Sequence, residues 1–277
     1  MCTRERQITH IMSPFTHAIV SRAPNRLLSG GKPLNVVDIN LFTKQQEELC
    51  EKLREAGVDV IELAPEDTEE MKSLFVDDLA VICNGTALIT LDQPGQRANE
   101  VMALLLELGF RVKTLSNNNN ATFCGSDVLF TGKEFFVALS DRTNAAGAKE
   151  VARTFSEYPV TAVKLNGPKP LKYYVCMAAP EVLAVSSSSE AQNVLKKIET
   201  EATYQYHTLS FNKDVPVSCM NVNGVIFTAC TGSDAEKFNV LPGCTVQTIE
   251  IDEMTKNEAL LTQYCLLLKK IKHMKNF

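Results

Sequence analysis

The chain has 277 residues, 45% apolar, 22% charged and 7% aromatic, with no tryptophan and a net charge of −5. This composition excludes a disordered chain and suits one large domain with a sizeable core. The mildly acidic balance gives no electrostatic basis for nucleic acid or an anionic membrane as a partner.

The segment Met1–Ile11 has basic residues but no apolar stretch of signal-peptide length behind them. The longest apolar runs, such as Val101–Leu106 and Cys265–Leu268, are too short to cross a bilayer. The nine cysteines form no Cys-x-x-Cys pair and no regular framework. Without a secretion signal they are expected to be free thiols in a reducing, cytoplasmic setting. The four histidines, His10, His17, His207 and His273, lack clustered spacing, so neither a metal nor a cofactor is expected.

The first predicted strand is Thr16–Ser21. A helix over Thr43–Glu55, opened by a Thr43–Gln46 capping box and stopped at Gly57, leads to a strand at Val58–Leu63. Next comes a hairpin, Asp78–Cys83 and Thr86–Thr90, turned at Asn84-Gly85. Helix Arg97–Leu108 stops at Gly109 and leads to strand Phe110–Leu115. The hairpin Asp127–Phe130 and Phe135–Leu139 is followed by helix Asn144–Glu157 and strand Val160–Leu165. Tyr173–Ala178 and Val182–Ser186 precede a helix opened by Ser189 and Gln192 and running to Ile198, then strand Tyr204–Leu209. Cys219–Val222 and Val225–Ala229 turn at Asn223-Gly224; Ser233 with Glu236 opens a helix, and Thr245–Ile251 follows as a strand. The runs Asn117–Asn120 and Ser186–Ser189 suit loops beside strands.

The hairpins recur at a steady interval: 49 residues from Asp78 to Asp127, then 46 to Tyr173 and 46 to Cys219. Such a period marks a repeat architecture, here four ββαβ units. A C-terminal strand over Leu260–Leu268 would pair with Thr16–Ser21 and complete a fifth unit, closing a ring. The expectation is an α/β fold, a five-bladed α/β-propeller of ββαβ units closed by its terminal strands. A doubly wound sheet lacks a hairpin in each unit and fits less well. One domain over residues 15–270 is expected, with a flexible head at residues 1–14 and a basic tail at residues 271–277.

The run Phe75-Val-Asp-Asp78-Leu-Ala-Val-Ile-Cys-Asn-Gly-Thr-Ala-Leu-Ile-Thr90 closely resembles the dimethylarginine dimethylaminohydrolase family, of the guanidine-modifying, pentein-like propeller superfamily. The resemblance continues through Asn120-Ala-Thr122, Gly125–Val137 and Leu139–Asn144, and includes Thr16-His17-Ala18 and Leu260-Leu-Thr262. It implies a cysteine nucleophile that attacks an amidine carbon, a histidine acid–base and an acid that orients the histidine. Matched by motif, the acid position holds Cys124, the histidine position holds Pro170 before Leu171-Lys172, and the nucleophile position holds Gln263. All three are substituted. Cys265 lies two residues beyond Gln263, where a strand would present it on the same face.

The ligand-reading positions are kept. Asp77 and Asp78 match the acidic pair that grips the guanidinium, and Arg97 and Arg142 match the arginines that hold an α-carboxylate. Lys72 replaces a further acidic position. On this reading the chain is a pseudoenzyme with a central channel for a small amino-acid, guanidino-type or other ligand. The alternatives are a hydrolase using the displaced Cys265, or a propeller that serves as a protein scaffold.

Overall fold

The computed structural model describes residues 14–25, 37–66, 70–90, 96–115, 120–212, 217 and 219–270. The predicted head (apart from its last residue), the predicted tail and most of the asparagine run lie outside these.

Five three-stranded sheets share one plan, in which two antiparallel strands are followed by a helix and a third strand parallel to the second. In chain order the elements are β1 (His17–Ser21), α1 (Ile39–Glu55), β2 (Asp59–Leu63), β3 (Ala80–Cys83), β4 (Thr86–Ile89), α2 (Arg97–Glu107) and β5 (Arg111–Thr114). Then come β6 (Val128–Phe130), β7 (Phe135–Leu139), α3 (Ala145–Thr154), β8 (Val160–Lys164), α4 (Leu171–Tyr174), β9 (Val175–Ala179), β10 (Val182–Ser186), α5 (Ser189–Glu201) and β11 (His207–Phe211). The last are β12 (Cys219–Val222), β13 (Val225–Thr228), α6 (Gly232–Glu236), β14 (Thr245–Thr248), α7 (Asp252–Thr255) and β15 (Leu266–Leu268). The terminal strands meet as expected, with β15 antiparallel to β1 at His17↔Leu268 and β1 parallel to β2.

The middle strand of each sheet is buried on both faces. Alternate side chains enter different cores. Phe135 and Val137 pack with β4 and α3 side chains, whereas Phe136 and Ala138 pack with β10 and α5. Ala18 and Val20 join α1 and β13, while Ile19 joins β4 and α2. Leu183 and Val185 face one core and Ala184 the other. Each core cluster is thus drawn from two consecutive sheets, and one of them joins the last sheet to the first.

The entries to three first strands differ from the expectation, while Cys219–Val222 is a strand as expected. Val76–Leu79, Gly125–Asp127 and Leu261–Tyr264 are 3₁₀ turns, not strand, so Asp77, Asp78 and Asp127 precede their strands and β15 is only three residues long. These turns touch: Val76–Leu79 contacts both Gly125–Asp127 and Leu261–Tyr264, and Gly125–Asp127 contacts α4. Elsewhere β9 touches β12, and β12 touches the turn Leu261–Tyr264.

Helix starts also differ. Asp38 caps α1 by accepting from the Asn40 and Leu41 amides, five residues before the expected box, so that Phe42, Leu49 and Leu53 all reach the core. Ser188, one residue early, caps α5. Ser233 and Glu236 form no cap; both lie inside the five-residue α6, which follows Thr231. The strand at 204–209 starts only at His207, because Glu134 accepts from the Thr203 and Tyr204 amides and the Tyr206 hydroxyl. Strand β14 ends at Thr248, where the chain turns into α7. Among the described residues no helix is long and apolar enough to cross a membrane.

Gly125 fixes the approach of two turns. A Cβ there would stand 1.8 Å from the Asp77 carbonyl oxygen and 2.9 Å from that of Ala80. Backbone must therefore move in Gly125→Ala, which is expected to lose about 3 kcal/mol or more of stability in urea denaturation. Gly109→Ala, which meets no atom within 4 Å, isolates the cost of a glycine φ of +86° and is expected to lose less.

Candidate functional site

The turns before the first strands bring together residues far apart in sequence. Val76–Leu79 is short and its two acids sit one after the other, so Asp77 and Asp78 diverge around the turn and find different partners. Both are buried. Asp78 accepts from Arg142 Nη1 at 3.2 Å and from Gln263 Nε2 at 3.3 and 3.2 Å. Asp77 takes Lys172 Nζ on both oxygens, at 2.9 and 2.6 Å. Burial raises the Asp77 carboxyl above its ordinary range, and Lys172 opposes that rise.

A second network supports the first. Arg142 Nη2 donates to Ser126 Oγ at 3.2 Å, and Ser126 Oγ lies 3.3 Å from Cys124 Sγ. The fully buried Asp127 accepts from Ser140 Oγ at 2.7 Å, Thr143 Oγ1 at 2.8 Å and the Leu171 amide at 3.2 Å. It thereby holds the loop carrying Arg142 against the start of α4, which carries Lys172. An open cleft of about 530 Å³ lies along Ser140, Asp141, Thr143, Asn144 and Lys164, and neither Asp77 nor Asp78 lines it.

The three positions matched by motif, Gln263, Pro170 and Cys124, all lie close to this centre. Gln263 is buried; its Oε1 accepts from the Leu260 amide at 2.8 Å while its NH2 donates to Asp78. Pro170 is buried and precedes α4, and its ring carries no transferable proton. Cys124 is buried, and burial followed by the Asp78 charge pushes its thiol well up. The expectation for Cys265 needs correction. Gln263 lies in a 3₁₀ turn of three residues per turn, so position 265 does not share its face. Cys265 packs instead with Phe42, Leu49 and Tyr264, and burial pushes its thiol well up.

Arg97 does not join the others. It is buried, with Nη1 on Glu100 Oε2 at 2.7 Å and Nη2 on the Ala64 carbonyl at 2.8 Å. Its partners lie in the segment after β2 and on its own helix, not on the 76–79 turn. Lys72 is exposed on the 3₁₀ turn Met71–Leu74. The residue that the sequence reading left without a role is Lys172: Leu171-Lys172 served only as a landmark, and its charge opposite Asp77 was the available signal. Among the described residues no cluster of His, Cys, Asp or Glu could hold a metal ion.

The Asp77–Lys172 pair is testable by stability. Lys172→Met leaves a buried carboxylate unpaired and is expected to lose about 3 kcal/mol in urea denaturation at pH 7. A carboxyl whose folded-state pKa is raised takes up a proton on folding, so stability returns as pH falls through that pKa. The deficit of Lys172→Met should therefore shrink at pH 5, and Asp77→Asn in the same chain should recover most of it at pH 7. An equal deficit at both pH values would show that Lys172 does not compensate the Asp77 charge.

Residues 35–213 match the model of the eukaryotic N,N-dimethylarginine dimethylhydrolase family. The human protein named "Putative hydrolase DDAH2" is 32% identical over 275 residues, covering 93% of this chain and 96% of that one. The fold is similar to that of the dimethylarginine dimethylaminohydrolase of Pseudomonas aeruginosa, solved as a variant with citrulline, at TM-score 0.76 and 20% identity over 92% of this chain and 100% of that one. It is also similar to the N-terminal domain of ArgZ, a cyanobacterial arginine dihydrolase, at TM-score 0.74 and 15% identity over 91% and 97% of the two chains. With its arginine- and carboxylate-lined turns and its family-wide sequence match, this chain belongs to the dimethylarginine dimethylaminohydrolase family of the pentein superfamily.

Proposed function

We propose that this chain is a family member without amidine hydrolysis, in which the centre around Asp77, Asp78 and Arg142 serves to bind a small amino-acid or guanidino-type ligand. The observation that carries this reading is Gln263. At the position matched to the nucleophile, a carboxamide is held by the Leu260 amide and donates to Asp78. An amide cannot attack an amidine carbon, and Pro170 cannot move a proton. Loss of nucleophile and base together removes several orders of magnitude in rate.

The five sheets are read here as the blades of a closed propeller. The support is the cyclic run of core clusters and the pairing of β15 with β1. The ligand would then lie in the central channel, at the turns that precede the first strands. We place the protein in the cytoplasm on the basis of its unpaired cysteine pattern, and assign it neither nucleic acid nor membrane as partner on the basis of its charge.

A hydrolase using Cys265 is disfavoured, since that sulfur is packed in a core and its thiol is held protonated. The described histidines are no help to it: His17 shares a hydrogen bond with Thr16 on β1, and His207 is exposed on β11. One observation favours a scaffold with no small ligand. Both carboxylates already have cations from the chain itself, Lys172 on Asp77 and Arg142 on Asp78. A guanidinium must displace one of them, so any binding is weak.

Purified protein is expected to release no citrulline from dimethylarginine or arginine; turnover that disappears in Cys265→Ser would reinstate the hydrolase. Calorimetry with arginine, citrulline and dimethylarginine is expected to show millimolar binding that weakens at least tenfold in Asp78→Ala. Absence of binding to the unaltered protein, or binding indifferent to Asp78→Ala, would select the scaffold.

A further inference from the structure

A pair of cysteines lies behind the carboxylate centre. Cys176 is on β9 and Cys219 on β12, the first strands of consecutive sheets, and these two strands pack against one another. Both side chains are buried in the same core cluster. Cys176 Sγ lies 3.1 Å from the carbonyl oxygen of Val217, two residues before Cys219, and 3.0 Å from that of Lys172. The two thiols are close enough to influence each other's ionisation, and both are free. Neither takes part in the centre described above.

We propose that Cys176 and Cys219 are an oxidisable dithiol that closes to a disulfide under a peroxide, tying the fourth sheet to the fifth. The balance is simple. The Cys176 sulfur attacks one peroxide oxygen, breaking the O–O bond and giving a sulfenic acid and one water. The Cys219 sulfur then attacks the Cys176 sulfur, breaking S–O and releasing the second water. Two thiols are oxidised, hydrogen peroxide is reduced, and both thiol protons leave in the waters. A molecule the size of water is the oxidant that such a buried pair admits.

The pair is matched to this chemistry in two ways. The neighbouring Cys219, together with the nearby Lys172 ammonium, pulls the Cys176 thiol down against the rise that burial causes. The Cys219 thiol is pushed up by its Cys176 neighbour and by burial. The remaining buried thiols of the centre, Cys124 and Cys265, have no cysteine hydrogen-bonded to them and are pushed up by burial.

Closing the disulfide has a consequence for the site. As a thiol Cys176 donates to the carbonyl of Lys172, one turn earlier and the same residue whose ammonium holds Asp77. The disulfide has no proton to donate, so the end of α4 loses that hold. Oxidation is thereby linked to the cation that competes with a guanidinium for Asp77.

The test treats the native full-length protein with a few equivalents of hydrogen peroxide, quenches, unfolds and alkylates it without reductant, and maps peptides by mass spectrometry. A linked peptide pair containing Cys176 and Cys219, reversed by dithiothreitol, is expected while Cys124 and Cys265 stay alkylatable. Free Cys176 and Cys219 after other thiols have oxidised would overturn the proposal, as would a link from either to Cys230. Cys219→Ala is expected to abolish the linked pair; should that variant fail to fold, the map of the unaltered protein decides alone. The readout is a covalent bond in the native chain, independent of whether any amidine binds or reacts.

Discussion

A buried carboxylate must be given donors by the protein, because none come from water. Asp77 and Asp78 place two such groups side by side on one short turn, and the rest of the centre is arranged to answer them. Lys172 arrives from the start of α4, Arg142 from the loop after β7, and Gln263 from the turn before β15. Two negative and two positive charges meet, and the amide completes the donor set. The turn itself is fixed from behind by Gly125, whose lack of a Cβ lets its backbone lie against the Asp77 carbonyl.

The sheets can bring these distant segments together because each shares its core with its neighbours. A middle strand buried on both faces commits alternate side chains to two cores, so no sheet is free to rotate independently of the next. Turn residues add polar ties between the same neighbours. Asn223, at φ +54° in the β12–β13 turn, donates to the Phe15 and Ala56 carbonyls and accepts from the Phe15 amide. Asn84, at φ +45° in the β3–β4 turn, donates to the Tyr158 hydroxyl at 2.6 Å. An Asn-Gly pair thus sets the hairpin and also fastens it to the adjoining sheet.

Those same features explain what was legible in the sequence. Phe135–Leu139 and Val182–Ser186 are continuous apolar runs because they are buried on both faces, and their limits match the strands residue for residue. The entry turns were not legible. Asp78 and Leu260–Tyr264 adjoin strongly apolar residues, and periodicity extends a strand through them, whereas contacts between turns from different sheets wind them into 3₁₀ geometry. The site was half legible for a similar reason. Residue type at 77, 78, 142 and 263 could be matched by motif, but which cation meets which carboxylate depends on packing between sheets. Arg97 shows the limit: it begins a helix as expected, yet its guanidinium is taken by Glu100 and Ala64.

The glutamine at 263 makes sense once Asp78 is treated as a constraint. A cysteine sulfur there would offer Asp78 one weak donor and leave the Leu260 amide without a strong acceptor. The carboxamide offers an NH2 to the carboxylate and an oxygen to the amide, each with good reach and no change of charge. Gln263 thereby makes a polar tie between the turn at 261–264 and the turn at 76–79. The acids and Arg142 serve that network whether or not a ligand ever reaches them.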